Sequence, residues 1–157
     1  LKLIRNVKNR RLDGFFLRAE SFYNVASEVD RLYEGEPMPR YYGGRSLHAQ
    51  SHGESFMTLF LQRFYGDGLY ILDEPEAALS PSRQMALLTA INNLVEDRSQ
   101  FIISTHSPIL MAYPDADIYE LTEDSITLTP YEETEHYRVT KQFLESPERM
   151  IRYLFED

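Results

Sequence analysis

Three groups of residues have the types and spacing to do chemistry together. Asp73 and Glu74 stand side by side behind the apolar run Leu69–Leu72, and His106 ends a second apolar run that begins at Gln100. Ser51, Gly53 and Glu54 open a segment with an apolar face, formed by Phe56, Leu59, Phe60 and Phe64. Carboxylates and a histidine at the ends of buried strands suit phosphoryl transfer to water. Mg²⁺ is a hard ion that keeps several waters and is held through one or two carboxylates plus the substrate's phosphates, a role that suits Asp73. Glu74 would orient or deprotonate the attacking water. His106 would hydrogen-bond the terminal phosphate and help organise its developing charge. Ser51 and Glu54 have capping-box spacing, and a helix N-terminus with a hydroxyl and a close-approach glycine is also an anion site. The plainer reading of the same residues is loop acids before a helix, a histidine before a Ser-Pro turn, and a cap.

Those residues need elements to hold them. Gly14–Glu20, Gly68–Glu74 and Gln100–His106 read as short buried strands, and helical segments separate them. One helix begins near Ser21, a second covers Glu54–Tyr65, and a third opens at Ser80-Pro81, with Ser80 as cap and proline in the first turn. In the third, Met85, Leu88, Ile91, Leu94 and Val95 fall at helical spacing. Strands separated by helices imply right-handed crossovers and a parallel sheet, and such sheets bind ligands at the carboxyl ends of their strands. Asp73, Glu74 and His106 fall at those ends. Glu34–Ser46, with three glycines and two prolines, reads as loop. Asp117–Tyr131 reads as a hairpin, and the tail from Thr134 as two helices broken at Ser146-Pro147 that cover the core. The organisation expected is α/β, with residues 1–131 as the main domain and 132–157 as a helical tail packed on it.

Composition narrows the classes. The chain has 157 residues, 43% hydrophobic and 13% aromatic, which fits a globular domain. It has no cysteine, so disulfides and thiolate metal sites are excluded. No apolar run approaches the ~20 residues that span a bilayer, and the N-terminus lacks a secretory pattern, so a cytoplasmic protein is expected. Five of the 16 basic residues fall in residues 1–11, leaving 11 against 25 acids in the rest. That balance speaks against a wide phosphate-binding face on the main body, though the basic leader leaves nucleic acid as an unsupported option.

In this order the pieces resemble the ABC-class ATPases, in particular soluble bacterial AAA-family ATPases related to chromosome-maintenance and DNA-repair ABC proteins. "LYILDEP" is similar to a Walker B strand with its catalytic glutamate, "EAALSP" to a D-loop, "STHSP" to a switch-histidine loop and "QSHGES" to an ABC signature. The resemblance runs from about Gly43 to Leu121, more faintly from Gly14, with Ser51 lying 22 residues before Asp73 and His106 lying 32 after Glu74. It implies a P-loop NTPase fold with ATP and Mg²⁺ as ligands. Asp73 would serve the metal, Glu74 would be the general base and His106 the γ-phosphate contact. Ser51, Gly53, Glu54 and Ser80 would be nucleotide-binding, with the signature residues facing ATP held by the partner in a homodimer.

Three departures accompany the resemblance. His52 stands where the signature's first glycine is usual. The glutamine loop has no clear counterpart, Glu20 at the end of the first strand being the positional candidate. The phosphate loop, Gly-x-x-x-x-Gly-Lys-Ser/Thr, is absent, since the three lysines are Lys2, Lys8 and Lys141 and none follows a glycine. That absence fits a C-terminal part whose Walker A segment belongs to the same parent chain upstream, leaving this part alone inactive. The rival reading is a non-catalytic protein-interaction module derived from an ATPase fold. A metal-dependent nuclease using Asp73, Glu74 and His106 is a third.

Overall fold

The computed structural model describes residues 13–35, 37, 39, 44, 46–49 and 51–156. The basic leader, most of the Glu34–Ser46 loop and the side chain of His52 lie outside them. The chain divides into two compact units, residues 1–105 and 106–157.

The first unit is built on three parallel strands in the order β1 (Asp13–Arg18), β2 (Gly68–Asp73) and β3 (Gln100–Ser104). The helices α1 (Phe22–Leu32) and α2 (His52–Arg63) lie between β1 and β2, and α3 (Pro81–Glu96) links β2 to β3. Such a sheet makes β2 the middle strand, flanked by a neighbour on each side. Its end is therefore the best-fixed position in the sheet, and that end is Asp73.

An aromatic cluster holds α2 to one face. Phe60 stacks on Phe64 at 4.3 Å between ring centroids, and Phe64 meets Tyr70 of β2 at 4.4 Å and Phe15 of β1 at 5.6 Å. Phe101 of β3 closes the cluster against Tyr70 at 5.3 Å. Tyr70, Phe56 and Phe60 are fully buried. The Tyr70 hydroxyl is nevertheless satisfied, accepting the Tyr65 N–H at 2.7 Å and donating to the Tyr65 carbonyl at 2.8 Å. Arg63 pairs with Asp13 at 2.6 Å and lies over the Phe15 ring, tying the end of α2 to the start of β1.

Two expectations need correcting here. The three strands are not buried on both faces: Phe16, Ile71 and Ile102 form one row in register across the sheet and are 59%, 38% and 54% exposed. Apolar runs report that a strand is hydrophobic, not that both its faces are covered. In α3 the buried residues are Gln84, Leu87, Ala90 and Ile91, while Met85 is 57% exposed and Val95 is exposed too. Gln84 can be inside because its amide donates to the Leu79 carbonyl at 3.1 Å, which satisfies a polar group that pattern-reading assigns to solvent.

The second unit contains α4 (Pro108–Met111), the antiparallel hairpin of β4 (Tyr119–Leu121) and β5 (Ile126–Leu128), and the helices α5 (Glu135–Glu145) and α6 (Pro147–Phe155). The hairpin and the break before Pro147 are as expected. Neither α5 nor α6 contains a buried residue. Among the described residues, no helix is long and apolar enough to cross a membrane.

Candidate functional site

At the carboxyl end of β2 the chain makes a turn that its residues resist. Glu74 adopts the left-handed conformation, φ 49° and ψ 50°. For a residue with a Cβ this costs about 1–2 kcal/mol, and surrounding structure must hold it there. Two restraints do so. The Glu74 N–H donates to the Ser104 carbonyl of β3 at 2.9 Å, extending the sheet by one bond. Buried Pro75 then starts a short 3₁₀ turn, Pro75–Ala78, whose Ala77 N–H returns to the Glu74 carbonyl at 3.1 Å. The turn places Glu74 directly after the anchored Asp73, and the charges of both carboxylates act on Arg18.

Asp73 is fixed by two side chains. Arg18, its register partner at the end of β1, donates from Nε to Oδ2 at 2.6 Å, and Ser104 donates its hydroxyl to Oδ1 at 2.9 Å. These bonds, Arg18 first and Ser104 second, hold the Asp73 carboxyl below the usual carboxylate range. The group is thus an anion at neutral pH, on a rigid strand end, already compensated by a cation. A hard divalent ion takes carboxylate ligands, so Mg²⁺ would use Asp73 only in place of the Arg18 guanidinium that now neutralises it. Among the described residues no three His, Cys, Asp or Glu side chains converge as a protein-only metal site.

The Ser51 region is the N-terminus of α2. The Glu54 carboxylate accepts the Ser51 N–H at 3.0 Å and the Ser51 hydroxyl at 2.7 Å, so the capping-box pattern is realised. Arg83, in the first turn of α3, donates to the Ser51 hydroxyl at 3.1 Å and lies 3.6 Å from the Glu54 carboxylate. Gly53 faces this arginine. A Cβ at that position would come within 2.3 Å of an Arg83 nitrogen and 3.1 Å of the Ala78 carbonyl, so glycine is what lets α2 and the turn after Glu74 approach. Ser80 occupies the N-cap position of α3, but its hydroxyl pairs with Ser82 at 3.1 Å and makes no capping bond. Ser51, Gly53 and Glu54 therefore meet the start of α3 through Arg83, with Ser80 three residues before that arginine.

His106 belongs to the second unit, two residues after β3 ends. Its Nδ1 lies 3.2 Å from Nε2 of His136 in the first turn of α5, the rings edge to face with centroids 5.0 Å apart. Glu20, the glutamine-loop candidate, does not end the first strand. It is exposed in the turn Ala19–Ser21, and Arg18 is the strand-end residue.

Sequence reasoning missed Arg18, Arg83, Ser104 and His136. The first and third were accessible in principle, because parallel pairing at the end of β2 brings the ends of both neighbouring strands beside Asp73. Arg83 and His136 depend on tertiary placement, for which the sequence carries no local mark.

Residues 43–112 match the profile of the family described as "AAA domain, putative AbiEii toxin, Type IV TA system". Over that stretch, less than half of the chain, the sequence is similar to a general AAA or P-loop ATPase-type domain. The stretch takes in Ser51, Gly53, Glu54, Asp73, Glu74, Ser80 and His106. No curated protein and no solved structure gave a significant match.

Proposed function

We propose that this chain is the catalytic part of an ABC-type ATP hydrolase, with the phosphate grip supplied by a segment outside these 157 residues. The observation that carries the reading is the pair at the end of the middle strand: an anchored, ionised Asp73 followed by Glu74 in a restrained left-handed turn. When bound, Mg²⁺ supplies charge neutralisation at the phosphates, and Asp73 would hold it. Glu74, held by the turn directly after Asp73, accepts a proton from the attacking water. His106 donates to the terminal phosphate, where negative charge accumulates as the bond breaks.

Ser51, Gly53 and Glu54 act across a homodimer on the ATP held by the partner subunit. The Ser51 hydroxyl and the Arg83 guanidinium, now engaged with the Glu54 carboxylate, would turn to the phosphate when nucleotide binds at this helix end. Ser80 and the turn before it connect this end to Glu74 and so to the subunit's own site. Residues 1–131 form the ATPase portion in this reading, with 132–157 as its tail.

The trans arrangement is tested by complementation in a chain extended to carry a phosphate loop. One variant has the loop lysine replaced by Ala, the other is Ser51→Arg, and each alone is expected to be inactive. In a symmetric dimer the mixture rebuilds one intact site per heterodimer, restoring about a quarter of wild-type turnover. Two folded variants that stay inactive when mixed would show that the signature-like helix does not act across subunits.

A further inference from the structure

His136 has no part in the mechanism above, yet the second unit is arranged to bring it to His106. Two helix starts do this. Ser107, buried, caps α4 by accepting the Ile109 and Leu110 N–H groups at 3.2 and 3.4 Å, which fixes the chain one residue after His106. Thr134, 1% exposed, caps α5 by accepting the Tyr137 N–H, and its own hydroxyl donates to the Tyr131 carbonyl at 2.8 Å. The Tyr131 hydroxyl in turn donates to the Pro108 carbonyl at 2.9 Å, so the two capped starts are joined by a direct bond. Both buried hydroxyls, Ser107 and Thr134, are hydrogen-bonded, as polar side chains this buried must be. The Glu120 carboxylate receives the Glu135 N–H at 3.0 Å, which holds the residue before His136 as well.

Between two neutral imidazoles the contact admits two proton arrangements. If His106 Nδ1 donates to His136 Nε2, a neutral His106 has a bare lone pair at Nε2, which repels a phosphate oxygen. If His136 Nε2 donates to His106 Nδ1, then His106 carries its proton on Nε2, aimed away from the pair and able to donate to an anion. Only the second suits a phosphate contact. We propose that His136 is a positioning residue for His106: its Nε2–H, donated to His106 Nδ1, selects the His106 tautomer whose Nε2–H serves the nucleotide. This rests on the hydrolytic reading of His106 given above. The tautomer is worth fixing because a wrongly placed imidazole proton disables a histidine without moving it.

The test has a spectroscopic arm and a kinetic arm. In the 157-residue chain, imidazole ¹⁵N–¹H correlation is expected to show His106 protonated at Nε2 with Nδ1 as an acceptor. His136→Ala should lose that signature and mix the two tautomers, while His136→Gln, whose amide N–H can replace Nε2–H, should keep it. A His106 proton on Nδ1 in the wild type, or an unchanged His106 signature in His136→Ala, overturns the proposal. In the loop-bearing chain, His136→Ala should lower kcat by about tenfold or more with KM within twofold, and His136→Gln should restore most of it. Unchanged kcat in His136→Ala overturns the role in turnover. If His106→Ala also leaves kcat unchanged, the hydrolytic reading of His106 has failed; if His106→Ala is inactive, only the positioning role has.

Discussion

Glu74→Gln, in a chain that carries the phosphate loop, is expected to bind ATP as the wild type does and to hydrolyse it at least a hundredfold more slowly. A positioned general base contributes about 10²–10⁴-fold, and a hundredfold corresponds to about 2.7 kcal/mol of barrier. Glutamine keeps the length and shape of the side chain and cannot take a proton. The backbone bonds that hold the turn, Glu74 N–H to Ser104 and Ala77 N–H to Glu74, do not involve the side chain and survive the change. The left-handed strain is the same for either residue, so a loss of turnover reports chemistry and not collapse of the turn. Phosphate release at saturating MgATP and retained ATP on the isolated protein measure the two halves of this prediction. Turnover within threefold of wild type would remove Glu74 from the base role.

Phe60→Ala is expected to lower the stability of the first unit by about 3–5 kcal/mol. Phe60 is 0% exposed, stacks on Phe64 at 4.3 Å and reaches Phe101 at 6.3 Å. Alanine removes the transfer energy of the ring and leaves a cavity between α2 and β3 that rigid strands cannot collapse into. Domains are stable by only about 5–15 kcal/mol, so a loss of this size takes a large fraction of the total. The functional consequence follows from the same contact, since α2 carries Ser51, Gly53 and Glu54 at its other end. A denaturant titration followed by far-ultraviolet circular dichroism should show the midpoint fall at constant slope. A loss below about 1 kcal/mol would mean that the aromatic cluster does not anchor α2.

Much of the frame was legible because local chemistry is written in short stretches. Leu69–Leu72 followed by Asp73 and Glu74 marks a strand and its end, and Ser51 with Glu54 marks the start of α2 within one residue. Ser80-Pro81 marks the start of α3, although the Ser80 hydroxyl is spent on Ser82 and does not cap. What failed was which side of an element faces inward. In α3, apolar residues occur on more than one face, and the buried stripe includes Gln84, whose hydrogen bond to Leu79 no hydrophobic pattern contains. The partners of the candidate site were missed for a related reason, although parallel pairing at the strand ends made Arg18 accessible in principle. Arg18 reaches Asp73 across 55 positions and His136 reaches His106 across 30, and both contacts exist only once the strands pair and the helix starts are capped. A separation in sequence carries no information about such a meeting.

Equilibrium binding of MgATP to two forms, the 157-residue chain and the same chain extended through a phosphate loop, reaches the central claim most directly. If these residues hold the chemistry and another segment holds the phosphates, the extended form binds ATP in the range of about 1 μM to 1 mM typical of enzyme substrates and turns it over. The 157-residue chain then binds at least a hundredfold more weakly and shows no turnover. Equally tight binding by the 157-residue chain would contradict the claim that the grip lies elsewhere. Absence of ATP binding by the extended form would contradict the ATPase reading itself and leave an interaction module in its place.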